Sequence, residues 1–419
     1  MVAAITNALV FDGQDVIGYP TVILDGTRVA AIDQPVPSGA TVVDGTGATL
    51  LPGLIDSHVH TDTDGLRDAL AFGVTTELEM QGHWSPKTRQ KIATRDDIAD
   101  LRTSGMGVRT KGGHPSEYVT SGSLLMRLVY PLLPSVNTPE QAQRFVAKQV
   151  ASGADYIKVF IEDGSTIGYP GLPVINQPTL LAAIRAAHEQ GKLVIAHATT
   201  ADGAQRAITS GVDGLAHLFL DAPIPGLIDA IVASGAFVVP TLVTLSTAFG
   251  HSAADLAADP RVHVRLSQEW LNSLARSMNA YPQGDLDVAF ASVRALRDAG
   301  VDILAGSDVS EPLPMLGGLA HGASLHHELQ LLVQAGFTPV EALRAATSVP
   351  ARRFSLTDRG RIAPDMRADL LLVDGDPATT ICDTLSTRAI WRRGVQQEAK
   401  ATRNIGGASA GSSATLQVQ

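Results

Sequence analysis

Short apolar runs that stop at a polar side chain recur through this chain, and they restrict its fold more than any other feature. Leu54-Ile55-Asp56-Ser57-His58-Val59-His60 follows Pro52-Gly53, and Leu193-Val194-Ile195-Ala196-His197, Gly214-Leu215-Ala216-His217 and Ile303-Leu304-Ala305-Gly306-Ser307-Asp308 close in the same way. Lys158 lies inside Asp155-Tyr156-Ile157-Lys158-Val159-Phe160. Runs of this length, bounded by Gly and polar residues, read as buried parallel strands, and the stretches between several of them read as helices. Candidate strands fall near Leu54, Val74, Val108, Ile157, Val194, Leu215, Val238 and Ile303. Repeated strand-helix units in a chain of 419 residues point to an α/β protein built on a closed (β/α)8 TIM-like barrel, where reactive groups gather at the carboxyl ends of the strands.

A strand projects residues i and i+2 from one face, so His58 and His60 can converge on one ion. Imidazole suits zinc and its neighbours. Alone, such a pair is more often incidental. Taken singly, His197 and His217 read as core histidines bonded to backbone, Lys158 as a strand-end lysine paired with an acid, and Asp308 as a helix start. Together, all six would meet in one mouth.

With those residues in that order, the chain resembles the amidohydrolase superfamily of metal-dependent hydrolases. Within it, the chain is similar to the branch of imidazolonepropionase-like proteins, zinc dipeptidases acting on Xaa-Pro bonds and ochratoxin-type amidases. The resemblance covers nearly the whole chain and falls on His58 and His60 at the first strand, Lys158 at the fourth, His197 at the fifth, His217 at the sixth and Asp308 at the eighth. It implies two divalent ions, expected to be zinc: one on His58, His60 and Asp308, the other on His197 and His217. It also implies that Lys158, buried and neutral, takes up carbon dioxide to give a carboxylysine bridging both ions. A hydroxide shared by the ions would attack an amide carbonyl, with Asp308 carrying the proton to the leaving nitrogen. His114, in Lys111-Gly112-Gly113-His114-Pro115, is the candidate for steadying the oxyanion, because the branch has a Gly-Gly-His segment there. Pro115 departs from the Gly expected next.

The expected activity is therefore hydrolysis of a C-N bond other than an ordinary protein peptide bond, in an N-acyl amino acid, a dipeptide or an aryl amide. Lys111, Tyr118, Tyr169 and Arg127 are available to a small, carboxylate-bearing substrate. A lactonase or cyclic-amide hydrolase uses the same attack and stays open, as does a lyase or decarboxylase. A mononuclear deaminase would carry a glutamate three residues after His197, where this chain has Thr200. A noncatalytic barrel scaffold should have lost ligands, and all six are present.

Composition sets the outer limits. A chain 45% hydrophobic and 18% charged can bury a large core, and its net charge of −10 argues against nucleic-acid or anionic-membrane partners. Cys382 is the only cysteine, which excludes an intramolecular disulfide framework and a multi-cysteine metal site. No apolar run reaches membrane-span length, and a cytoplasmic location is expected; assembly into a homo-oligomer is left open. Short β-like pieces in residues 1–52 return in residues 360–400, so both chain ends are expected to form one small β-sandwich around a barrel of residues 53–359. Residues 401–419, rich in Gly, Ala and Ser, read as a flexible tail. The stretches Gly112 to Pro139 and Val243 to Asp285 are long enough for lids or surface excursions.

Overall fold

A computed structural model describes residues 2–120 and 134–397; the expected tail at 401–419 and Arg127 lie outside them. The protein is α/β. Its amino-terminal strands are β1 (Val2–Thr6), β2 (Leu9–Val10), β3 (Val22–Asp25), β4 (Arg28–Ile32), β5 (Thr41–Asp44) and β6 (Ala48–Pro52). Then follow β7 (Leu54–Val59), β8 (Val74–Glu79), β9 (Asp100–Thr103), β10 (Ile157–Phe160), β11 (Val194–His197), β12 (Gly214–Ala216) and β13 (Phe237–Val239). Near the carboxyl end come β14 (Leu370–Asp374), β15 (Thr387–Arg392) and β16 (Val395–Gln396).

Two sheets draw on the chain ends, in the orders β4-β3-β1-β5 and β16-β15-β14-β6-β2. They share a core, because Ile5, Val22, Leu24 and Val29 of the first cluster with Leu50, Leu370, Leu372 and Trp391 of the second. Strand β6 pairs antiparallel with β14, so residues more than 300 positions apart complete one sheet.

The middle of the chain forms two parallel sheets, β7-β8-β9 and β10-β11-β12-β13. Helices between the strands begin at residues suited to capping: Asp62 accepts from the amides of Asp64 and Gly65, Asn176 from Thr179, and Thr200 from Gly203. Further hydrogen bonds link the sheet edges. Asp155 N donates to Thr103 O at 2.8 Å, Val108 N to Lys158 O at 2.8 Å, and Leu304 N to Val238 O at 2.9 Å. Ser57 N donates to Ala305 O at 2.9 Å and His60 N to Val309 O at 2.7 Å, returning the path to β7.

Two strand positions differ from expectation. The third strand is Asp100–Thr103, and Val108 contributes only an isolated bridge to Val159. The charged Asp100 and Arg102 conceal that strand from an apolar pattern. The eighth position near Ile303 is also bridges alone, to Val238 and, through Val309, to Val59. Nor is Val243 to Asp285 a loose excursion. It holds the helices Leu242–Ala248, Ala254–Ala258, Pro260–His263 and Gln268–Leu274. Leu256, Val262, Leu271 and Leu274 pack there with Phe72 and Ala323.

Asp100 opens β9 at the end away from the candidate ligands and joins the chain ends to the parallel sheets. Arg359 pairs closely with it; Arg367 lies 3.2 Å away, Arg102 3.4 Å and Arg392 3.6 Å. Burial alone would raise this carboxyl, but Arg359, Arg102, Arg367 and Arg392 hold it well below the usual carboxylate range. Its contribution to stability is therefore complete above the ordinary carboxylate pKa and is lost only as pH falls below it towards the lowered value. Asp100→Ala strands buried guanidinium groups and is expected to destabilise the fold by about 3–5 kcal/mol, read from a urea midpoint. A loss under about 1 kcal/mol would mean that the arginines re-pair with Asp358 and Asp369.

Candidate active site

The six sequence-selected side chains converge at the carboxyl ends of the parallel strands. His58 Nε2, fully buried on β7, lies 3.2 Å from Asp308 Oδ1 and 3.1 Å from Lys158 Nζ on β10. His60 Nε2 lies 3.3 Å from the same Asp308 oxygen. His217 Nδ1 is 3.8 Å from Asp308 Oδ2. The rings of His58 and His217 have centroids 4.7 Å apart, as do those of His197 and His217.

Backbone conformation aims several of these groups. His217, just past β12, Thr241, just past β13, and Asp308 are left-handed, with φ of 75°, 48° and 54°. Such conformations cost about 1–3 kcal/mol each and cluster where function over-determines geometry. For β-branched Thr241 the conformation is a marked outlier. Asp308 starts no helix, since the next helical turn begins only at Pro314.

Protonation states suit cation binding, which needs neutral imidazole and ionised carboxylate. Burial, with Lys158 adding to it, lowers His58 to about 3, and burial also holds His197 and His217 well below the usual imidazole value. Burial would raise Asp308, but His58 and His217 bring it well below the carboxylate range. Lys158 is lowered to about 7 by burial, against the pull of Asp308 and Glu79.

The donor set passes a geometric test for a metal. Two ligands about 2.1 Å from a tetrahedral ion stand about 3.4 Å apart, close to the 3.2 and 3.3 Å between Asp308 and the two β7 histidines. Among the described residues, His58, His217 and Asp308 offer donor atoms all within 4.8 Å of one another.

Around these groups lies a set of orienting contacts that the sequence did not single out. Glu162 Oε2 is 3.1 Å from His197 Nε2, while its carboxylate also accepts from Gly164 N at 2.6 Å and from Thr199 Oγ1. That leaves Nδ1 as the ring nitrogen of His197 free to bind. Thr241 Oγ1 lies 2.9 Å from His217 Nδ1, leaving Nε2. Asp56 accepts from Ser307 N at 2.9 Å, Ser307 Oγ at 2.6 Å and His58 N at 3.2 Å, tying the first strand to the Asp308 turn. Asp56 could have been suspected, since it precedes His58 at strand spacing. Glu162, four residues beyond Lys158, carried no separate signal.

His114 stacks on His197, with ring centroids 4.2 Å apart and planes 19° apart, and its Nδ1 pairs closely with Glu117. Tyr118 meets His114 edge-on at 5.8 Å and Tyr169 at 6.0 Å, so both tyrosines border the cluster. Lys111 is exposed on the turn before Gly113. His321 pairs with Glu77 at 3.2 Å, and His326 with the Phe72 carbonyl at 2.8 Å.

Comparison with known proteins finds related chains. The profile of the amidohydrolase family matches residues 49–397. An uncharacterised protein of Mycobacterium tuberculosis is 28% identical over 371 residues, covering 85% of each chain. A Xaa-Pro dipeptidase crystallised with methionine in its active site has a similar fold, with TM-score 0.75 and 21% identity over 95% of this chain and 100% of that one. A prolidase complexed with N-methylphosphonate-L-proline gives TM-score 0.73 and 22% identity over 96% of this chain and 100% of that one.

Proposed function

Because the chain belongs to the amidohydrolase family, a family of generally metal-dependent hydrolases, we propose that it is a binuclear metal-dependent amidohydrolase. Its substrate would be an N-acyl amino acid, a dipeptide or an aryl amide, cleaved at the C-N bond. The observation that carries the reading is the convergence of His58, His60 and Asp308 at metal-ligand spacing, with His217 grouped beside them and Lys158 Nζ buried 3.1 Å from His58. His58, His60 and Asp308 would hold one ion, and His197 and His217 the other. Lys158, carboxylated on Nζ by carbon dioxide, would contribute the two oxygens that reach both. We also read the parallel sheets as one closed (β/α)8 barrel of residues 53–359, and residues 1–52 with 360–400 as a β-sandwich domain.

Two divalent zinc-like ions in this site would lower the pKa of a shared water towards neutrality and polarise the substrate carbonyl. Asp308 Oδ accepts the proton of the attacking water and returns it to the leaving nitrogen, so that the departing group leaves as a neutral amine. His114, paired with Glu117 at Nδ1, would steady the carbonyl oxygen as negative charge grows there. Tyr118 and Tyr169 border the space for the substrate. Mononuclear deamination is less well supported. Thr200, where that reading needs an acid, caps the helix Ala201–Ser210 by accepting from Gly203 N at 3.0 Å.

Elemental analysis of the purified protein tests this whatever the substrate proves to be. About two zinc-type ions per chain are expected, together with turnover in a panel of N-acyl amino acids and Xaa-Pro dipeptides. One ion per chain would defeat the binuclear reading, and none would defeat the metal reading altogether.

A further inference from the structure

The turn from Thr241 to Thr244 reaches the site at two points. Thr241 Oγ1 is 2.9 Å from His217 Nδ1, and Thr244 Oγ1 donates to the carbonyl of Ser307, the residue before Asp308, at 2.8 Å. The turn opens the helix Leu242–Ala248, whose first N–H groups need acceptors. Ordinarily the residue before the helix supplies one through its side chain. Here Thr241 makes no such bond, because its hydroxyl is turned to the histidine.

The acceptors come instead from Glu328, on the helix Ala323–Gln334. Its Oε1 accepts from Leu242 N at 3.0 Å and its Oε2 from Val243 N at 2.8 Å. Glu328 is fully buried, and among the described residues it enters no ion pair with an arginine, lysine or histidine. Burial raises this carboxyl to about 8 against the two backbone N–H groups that lower it, so it is a costly cap when a serine or aspartate at 241 could serve. What the distant cap releases is the Thr241 hydroxyl.

We propose that Glu328 is a positioning residue: its carboxylate fixes the Thr241–Thr244 turn, and through that turn it holds His217 and the Asp308 backbone in metal-binding register. The proposal rests on the metal-dependent reading above. Asp56 grips Ser307 from the other side, so the Asp308 turn is held between two buried carboxylates, one direct and one acting through Thr244. In Glu328→Gln the shape is kept, but the amide sets an NH2 against one of the two backbone N–H groups, and the turn loosens.

The test measures zinc affinity by competition with a chromophoric chelator, and the visible spectrum of the cobalt-loaded protein, for the full chain and its variants. Glu328→Gln is expected to bind zinc about 10–100-fold more weakly and to shift the cobalt absorption. Thr244→Val should weaken binding in the same direction. The double variant should fall short of the product of the two effects, because both act through one turn. A Glu328→Gln protein that melts at lower temperature yet keeps wild-type zinc affinity and cobalt spectrum would overturn the proposal, leaving Glu328 a helix cap alone. Should Glu328→Gln fail to fold, Thr244→Val decides, and unchanged affinity there also overturns it. Wild-type protein that binds no zinc would sink the metal reading, and this proposal with it.

Discussion

Asp308→Asn is expected to lower turnover by about 10³-fold or more, within the range for loss of a general acid–base group, while the protein stays folded. Asparagine matches the shape of the side chain and tolerates the left-handed backbone at this position. Fold and ligand spacing are thereby largely preserved. What goes is the charge that faces His58 at 3.2 Å, His60 at 3.3 Å and His217 at 3.8 Å. The amide can neither accept the proton of the attacking water nor balance a cation. Metal content should fall as well, which separates this change from loss of a substrate contact that would raise KM and spare the metal. Circular dichroism with kcat on any accepted amide makes the comparison, and near-wild-type kcat would remove Asp308 from the proton path.

The residues legible in the sequence share one property: each is a polar side chain in or at the end of a run that must be buried. His58, His197 and His217 stand out because apolar strands precede them, and parallel strands deliver their carboxyl ends to one place. The third strand is hidden for the converse reason. Asp100 and Arg102 are paired with Arg359 and Asp100 respectively, so a buried strand can carry charges that look solvent-facing in one dimension. Glu162, Glu117 and Glu328 are invisible for another reason. A buried glutamate is recognisable only by its partner, and the partners of Glu328 lie some 85 residues away in the chain. The left-handed turns at His217, Thr241 and Asp308 leave no mark in the sequence either, because none of them is a glycine, the residue that usually signals such a turn.

Lys158→Ala is expected to reduce metal content from about two ions per chain to one or fewer, and turnover by about 10²-fold or more. Lys158 Nζ is buried beside His58, and an ammonium there would repel any cation its neighbours bind. A neutral amine that combines with carbon dioxide gains a carboxylate and releases one proton, turning the repulsive group into a bridging one. Alanine would delete the proposed anion and leave room in its place, so formate, acetate or propionate at tens of millimolar should enter and restore part of both metal content and turnover. The order of rescue should follow the room left, with larger acids failing. Bicarbonate should speed metal reloading of the stripped wild type and do nothing for the variant, since only the wild type has an amine to carboxylate. If the variant keeps its full metal complement and ignores added acids, Lys158 is a structural lysine, and each ion must be held by histidine and Asp308 alone.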